Sequence, residues 1–552
     1  MVRRFYAVGS SLPFVVGAAL RLWNLRGQIL GGDETHAIRA ALNFTLPKIL
    51  VTYQVTDNCI PLTAIYKLFL LAGMPLTEML LRLPVLLCGL AALLALPAAF
   101  EGRLNRGTVF LYRCLLAVSP ALVLYSRIAR SYMPMVLFSF GAVMAFEAWW
   151  RTRSWRSGAA YVLLGALAVW FHLGAGPIVA APFLFAAVDA LVQRKDLGRN
   201  LRDLLLLGLA VAAAFALFLV PAMGSLLEVI AGKRVEQSVP WGQALSGILR
   251  LQAGTAVLWL AILFWLAALA GLVLLVRSER RLALFTVTVV AGHVAGLLVL
   301  SPFGLANPVI FGRYLLPVLP FVLLWVAAGF GGFGKTGAVA AVPFGAALLA
   351  AGPFAGRAVL RTSFLHHNDF VAFYKPRPAV PAEVPDFYRQ LHGETVVEFP
   401  WTFIWEANRA FYLYQEVHGG RVIVSTPQRL LFQPGLALRN AVAPEPGAIC
   451  RSGAGYLIVH RTEAREEDGI APDGRLADED GQALRRLLRE EAARLGERVK
   501  REWGPPLYAD GVLRAWDLRA ACGRSQEGPQ KATPAASAAA ATASPATKLP
   551  GR

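Results

Sequence analysis

The chain has 552 residues, of which 56% are hydrophobic and only 16% charged, and its mean hydropathy is +0.52. A soluble globular domain does not carry that apolar load, so composition excludes one and predicts a polytopic membrane protein. A net charge of +19 would suggest a nucleic-acid partner in a soluble chain. Here much of the arginine falls in short loops between apolar segments, so topology accounts for it and no nucleic acid is expected.

A membrane span takes roughly 17 to 25 mostly apolar residues. On that measure about eleven transmembrane helices are predicted, at 5–22, 79–100, 109–125, 132–150, 159–171, 173–192, 204–222, 255–276, 282–300, 314–330 and 337–355. The first follows Arg3 and Arg4 and lacks a small-residue cleavage site, which marks it as retained. The apolar run 60–71 is too short for a span and suits an interfacial or re-entrant helix. With the N-terminus in the cytoplasm, Arg3/Arg4, Arg103/Arg106, Arg151/Arg153/Arg156, the 194–202 cluster, Arg277/Arg280/Arg281 and Lys335 all lie inside. The opposite, exoplasmic side then receives the loop with Asp33 and Glu34, the segment 127–130, His172, the connection 223–254, the segment 301–313 and everything after the last span.

Beyond Gly356 the composition becomes that of a soluble domain. Short β-type runs, "TVVEF", "RVIVS", "GYLIVH" and "GVLRAWDL", alternate with helical stretches such as "QALRRLLREEAARLGERVKREW", whose leucines recur at helical spacing. The expected organisation is a transmembrane catalytic domain at 1–355, an exoplasmic α/β domain at 356–522 and a low-complexity, disordered tail at 523–552. Five cysteines show neither metal-knuckle spacing nor a dense even pattern, and a Cys450 to Cys522 bridge stays open.

"GFGGFGKT", 329–336, matches the P-loop pattern letter for letter. A P-loop needs a strand-to-helix turn, whereas this run joins two predicted spans, so a tight cytoplasmic hairpin is the expected reading. "HHND", 366–369, reads as a surface loop and not as a metal site. Asp33 and Glu34 precede "THAIRAALNF", an amphipathic stretch suited to lying along the bilayer surface. They could simply start that helix, but Arg127, Arg130, His172 and Arg313 sit at span ends on the same side. A carboxylate facing several cations suggests a site that combines a base with anion binding.

The first-loop Asp-Glu, "IPLTAIYKLFLLAGMPLTEMLLRLPVLLCGL", "YSRIARSYMPMVLF" and "GRYLLPVLPFVLL" occur in the order seen in GT-C glycosyltransferases. Over roughly 5–330 the chain resembles the branch holding protein O-mannosyltransferases and the bacterial aminoarabinose and RgtA/B/C/D-like lipopolysaccharide sugar transferases. That resemblance implies a GT-C fold in the inner membrane and an exoplasmic reaction. A sugar on a polyprenyl phosphate is moved, with inversion, to a lipid, glycan or protein acceptor. It implies Asp33 as the base that takes the acceptor's proton, with Glu34 orienting it or hydrogen-bonding the acceptor. Arg127, Arg130, Arg313 and Tyr314 are the candidates to hold the leaving phosphate. His36, Asp57, Tyr132 and His172 are candidate acceptor-binding or site-lining residues. Arg82 in "LRLP" matches a family position, or else caps its span.

Two departures bear on metals. Aminoarabinose transferases often have Glu-Lys-Pro-Pro-Leu where this chain has Asn58-Cys59-Ile60-Pro61-Leu62, and stricter members carry an Asp where Tyr132 precedes Met133-Pro134. No metal or other cofactor is therefore expected to be required, although Asp57 could stand in for the lost acid. The rival class is a transporter or flippase of lipid-linked saccharides. Transporters gather ionisable residues near the bilayer midplane and show internal repeats, whereas here the charges gather at one surface and no repeat is evident.

Overall fold

The computed structural model describes residues 2–23, 25, 34, 37, 40–41, 44–53, 59–74, 76–194, 196–233, 241–300, 308–354, 384–399, 414–415, 417–423, 445–461 and 479–524. Its first part is a helical bundle. The helices used below are α1 (Val2–Leu22), α2 (Ile60–Leu71), α3 (Glu78–Ala98), α4 (Arg106–Val118), α5 (Pro120–Tyr125), α6 (Tyr132–Thr152) and α7 (Trp155–Phe171). They continue with α8 (Gly176–Gln193), α9 (Leu197–Leu219), α10 (Met223–Lys233), α11 (Trp241–Ala253), α12 (Leu258–Ser278), α13 (Arg280–Leu300), α14 (Pro308–Tyr314), α15 (Leu319–Gly331) and α16 (Gly334–Ala350). Among the described residues six helical segments are long and apolar enough, by length and composition, to cross a membrane, and this is the architecture of a helical membrane protein.

Of the remaining expected spans, 5–22 falls within the 21-residue α1, and the others coincide with shorter or interrupted helices. The segment 109–125, expected to be one span, is broken between α4 and α5, where Ser119 is extended (ψ 116) and Pro120 cannot donate to Leu116. The connection 223–254 is largely helical, as α10 and α11. In α2 the buried residues are Ile60 to Ala64 and Tyr66, so its first half is inserted and its second half is more open, consistent with a helix too short to span.

Glycine permits a close crossing of α12 and α15. A Cβ on Gly271 of α12 would lie 1.7 Å from the carbonyl oxygen of Trp325, and one on Gly329 of α15 would lie 2.3 Å from that of Ala267. Small residues at these positions let two backbones meet. Gly329 is also the first glycine of the P-loop-like run. Gly331 of that run abuts Thr108, and Gly334, the first residue of α16, takes φ +60. The letters therefore serve helix packing and a turn, with no strand before them.

The second part is a five-stranded sheet of order β2-β1-β3-β5-β4. It comprises β1 (Val396–Phe399), β2 (Val422–Ile423), β3 (Tyr456–His460), β4 (Tyr508–Ala509) and β5 (Leu513–Asp517). β1 runs parallel to β2 and β3, while β5 is antiparallel to β3 and β4. Side chains alternate between two apolar clusters. Val396, Ile458, Leu513 and Ala515 join one, and Val397, Leu457, Val459 and Trp516 join the other. The second face is covered by α19 (Glu479–Trp503) through Ala492, Leu495, Val499 and Trp503, after the short helices α17 (Asp386–Gln390) and α18 (Pro446–Cys450). A disulfide joins Cys450 of α18 to Cys522 of the last helix, α20 (Leu518–Arg524). Arg421 reaches Glu78 at the start of α3 (2.7 Å), so the sheet stands at the end of the bundle where α3 begins.

Candidate active site

That end of the bundle is organised by one guanidinium. Arg82, one turn into α3 and 1% exposed, donates from Nε to Glu34 Oε1 and from Nη2 to Oε2, both at 2.9 Å, and from Nη1 to the carbonyl of Leu25 at 3.1 Å. The planar fork thus grips both ends of the segment 26–33. Glu34 also accepts the backbone N–H of Ala129 at 2.7 Å, tying the first loop to the turn that follows α5. This turn forms because Ser126 and Arg127 close on the carbonyls of Leu122 and Leu124, after which the chain reverses into α6. Tyr66 of α2 donates to the Leu81 carbonyl (2.6 Å) and completes the packing beneath the pair.

Three residues beyond Ala129 the chain enters a second group. Arg130 is half-buried next to Ala129 in the turn. Tyr132, at the start of α6, packs on Tyr125 with ring centres 4.9 Å apart and on His172 at 5.5 Å. Arg313 donates to the Tyr132 hydroxyl at 3.3 Å and lies 5.8 Å from the centre of its ring, an arrangement that combines a hydrogen bond with cation–π attraction. Tyr314 meets the His172 ring at 5.9 Å, and its carbonyl contacts Nε2 of the buried His293 at 2.9 Å, which ties α14 to α13. His172 Nδ1 accepts the N–H of Gly174 (3.1 Å), so the other ring nitrogen carries the proton when the ring is neutral.

The structure therefore brings Glu34, Arg130, Tyr132, His172, Arg313 and Tyr314 into one neighbourhood. Asp33, His36 and Asp57 lie outside the described residues, as does "HHND". Arg127 is also there but faces differently. It is 1% exposed, and its Nη1 donates to the carbonyls of Leu20 (3.2 Å), Arg21 (3.0 Å) and Trp23 (2.7 Å) at the end of α1. The Ala129 N–H could not be expected from the sequence, since a backbone donor carries no letter, and the ring contact of Tyr125 with Tyr132 depends on the turn between them. Among the described residues no group of three or more His, Cys, Asp or Glu is arranged to hold a metal ion.

These features define a class: a helical membrane protein with a polar, cation-rich site closed by a buried carboxylate–guanidinium pair at one end of its bundle. No family model matches the sequence, and no curated protein matches it. Among solved structures it resembles the cryo-EM structure of the arabinofuranosyltransferase AftD from mycobacteria, with 17% identity and a TM-score of 0.40, over 84% of this chain and 37% of that one. The chain thus spans little more than a third of that protein's length, and a likeness at this level carries no functional argument.

Proposed function

We propose that the chain is an inverting glycosyltransferase of the GT-C type, moving a sugar from a polyprenyl phosphate to a lipid, glycan or protein acceptor. The observation that supports this reading is the grip of Arg82 on both Leu25 and Glu34, with Glu34 also bound to the Ala129 N–H in the turn that carries the half-buried Arg130. In the proposed reaction Asp33 takes the proton of the acceptor hydroxyl as its oxygen attacks the anomeric carbon. The bond from that carbon to the phosphate oxygen breaks, and the electron pair leaves with the phosphate. Arg130 and Arg313, with Tyr314, hold that growing charge. Arg127 and Arg82 keep α1 and the first loop in place, and Tyr132 and His172 line the sugar's side of the site.

The reaction end faces the exterior of the inner membrane, with the N-terminus in the cytoplasm. Two observations support that orientation besides the distribution of Lys and Arg. The Cys450–Cys522 disulfide suits an oxidising compartment, and the Arg421–Glu78 contact puts the sheet at the same end as the site. The test is transfer of label from a radiolabelled polyprenyl-phosphate sugar by the purified protein. Asp33→Asn is expected to lower the rate by about 100-fold or more. Undiminished transfer in that variant would remove Asp33 from the mechanism, and movement of the donor across the membrane without transfer would favour a transporter.

A further inference from the structure

Arg21, in the last turn of α1, is 1% exposed and takes no part in the chemistry above. Its guanidinium donates to Ser126 Oγ at 3.1 Å, to the carbonyls of Ala117 (3.1 Å) and Leu116 (3.2 Å), and to Gly17 of its own helix (2.9 Å). Two of these acceptors exist because of the break at Ser119–Pro120. Proline has no N–H to give Leu116, and the extended Ser119 carries the N–H of Ala121 away from Ala117. Arg21 therefore caps the C-terminus of α4. Arg127 does the reverse, capping the C-terminal carbonyls of α1. Arg21 thus sits at the negative end of α4 and Arg127 at that of α1, where a cation is favoured. Space is tight around the clasp: a Cβ on Gly89 would lie 2.3 Å from Ser126 Oγ, and one on Gly17 would lie 3.1 Å from the backbone of Ala117.

We infer that Arg21 is a positioning residue for the proposed transfer, holding the 126–131 turn against the end of α1 so that Ala129 meets Glu34 and Arg130 faces the site. The inference rests on the transferase reading for its kinetic part and on the clasp geometry for its structural part. A methionine of similar length would fill the same space in an apolar core, so bulk alone does not account for a buried guanidinium with four donor contacts.

The experiment compares wild-type protein with Arg21→Met, Arg21→Lys and Ser126→Ala in lipid nanodiscs, reading transfer kinetics and backbone amide exchange together. Arg21→Met is expected to lower kcat by about tenfold or more with a much smaller change in donor KM, and to speed exchange at 127–131 while the rest of the bundle stays protected. Arg21→Lys, which can still cap a carbonyl, should recover part of both. Ser126→Ala, which removes one of the four Arg21 contacts together with the hydroxyl's own bond to the Leu122 carbonyl and is expected to fold, should shift both in the same direction by less. Unchanged kcat and exchange in Arg21→Met, or loss of protection spread evenly over the bundle, would overturn the inference. A wild-type chain that transfers no sugar would overturn the transferase reading alone, because the exchange pattern still decides whether Arg21 holds the turn.

Discussion

Glu34 and Arg82 form a pair whose value lies in what each leaves behind if the other is removed. Both are buried, and removing one partner of such a pair strands the other charge, at a cost of about 3–5 kcal/mol. Glu34→Gln is accordingly expected to lower the thermal stability of the bundle and to reduce transfer by about 100-fold, as the first loop loses its anchor. Arg82→Lys keeps the charge but not the fork, which can no longer reach Leu25 and both carboxylate oxygens at once. It should cost less stability than Glu34→Gln yet still lower kcat, as measured by unfolding scans and label transfer side by side. Equal activity in Arg82→Lys and wild type would show that the two-ended grip is not needed. The sequence offers Asp33, Glu34 and several arginines as candidates, and of the two carboxylates Glu34 is among the described residues. What the letters do not carry is the environment of each arginine: Arg127 and Arg130 are three letters apart, yet Arg127 is buried and reaches back to α1 while Arg130 is half-buried in the turn. Only the course of the chain separates the two.

At the scale of elements, hydrophobic runs predicted where helices lie but not where they break or touch. The break at Ser119–Pro120 follows from proline chemistry, and α10 and α11 were hidden in a connection whose mixed composition gives no clean period. The P-loop letters show the opposite failure, in which a motif is present and its context is absent. Gly329 and Gly271 make a sharp test of the packing reading. In Gly271→Ala the new methyl would fall on the Trp325 carbonyl, an atom of backbone that cannot step aside as a side chain does. The helices must separate, with an expected loss of about 1–3 kcal/mol, read as a drop in melting temperature. Gly345→Ala is the matched control, since nothing lies within 4 Å of the added carbon, and it should be neutral or slightly stabilising. If both variants melt alike, the crossing does not depend on close backbone approach.

Across the whole molecule, the sheet and the bundle are built on different rules and meet on the side that carries the site. The β-type runs beyond residue 394 do form strands, and the leucine-rich stretch forms α19, because alternation and helical spacing are local signals. The strand order and the parallel pairing of β1 with β3 depend on contacts across more than fifty residues and could not be read locally. The sheet also carries a pH liability. His418 is 2% exposed; its Nδ1 accepts the N–H of Gly420 (3.0 Å), while Nε2 is buried with no hydrogen-bond partner among the described residues. Burial lowers its pKa from 6.5 to about 4, against a weaker pull from Glu394. The imidazole is thus neutral in the folded sheet, and the unfolded chain binds the extra proton first. The stability tied to the neutral ring is complete above pH 6.5 and drains away as pH falls toward 4, by on the order of 3 kcal/mol over that window. His418→Asn keeps an acceptor for Gly420 and removes the titration. Amide exchange of β1 and β3, followed from pH 7 to pH 4 in the full chain, should lose protection more steeply in wild type than in His418→Asn. Parallel curves for the two proteins would exclude His418 as the origin of the acid sensitivity.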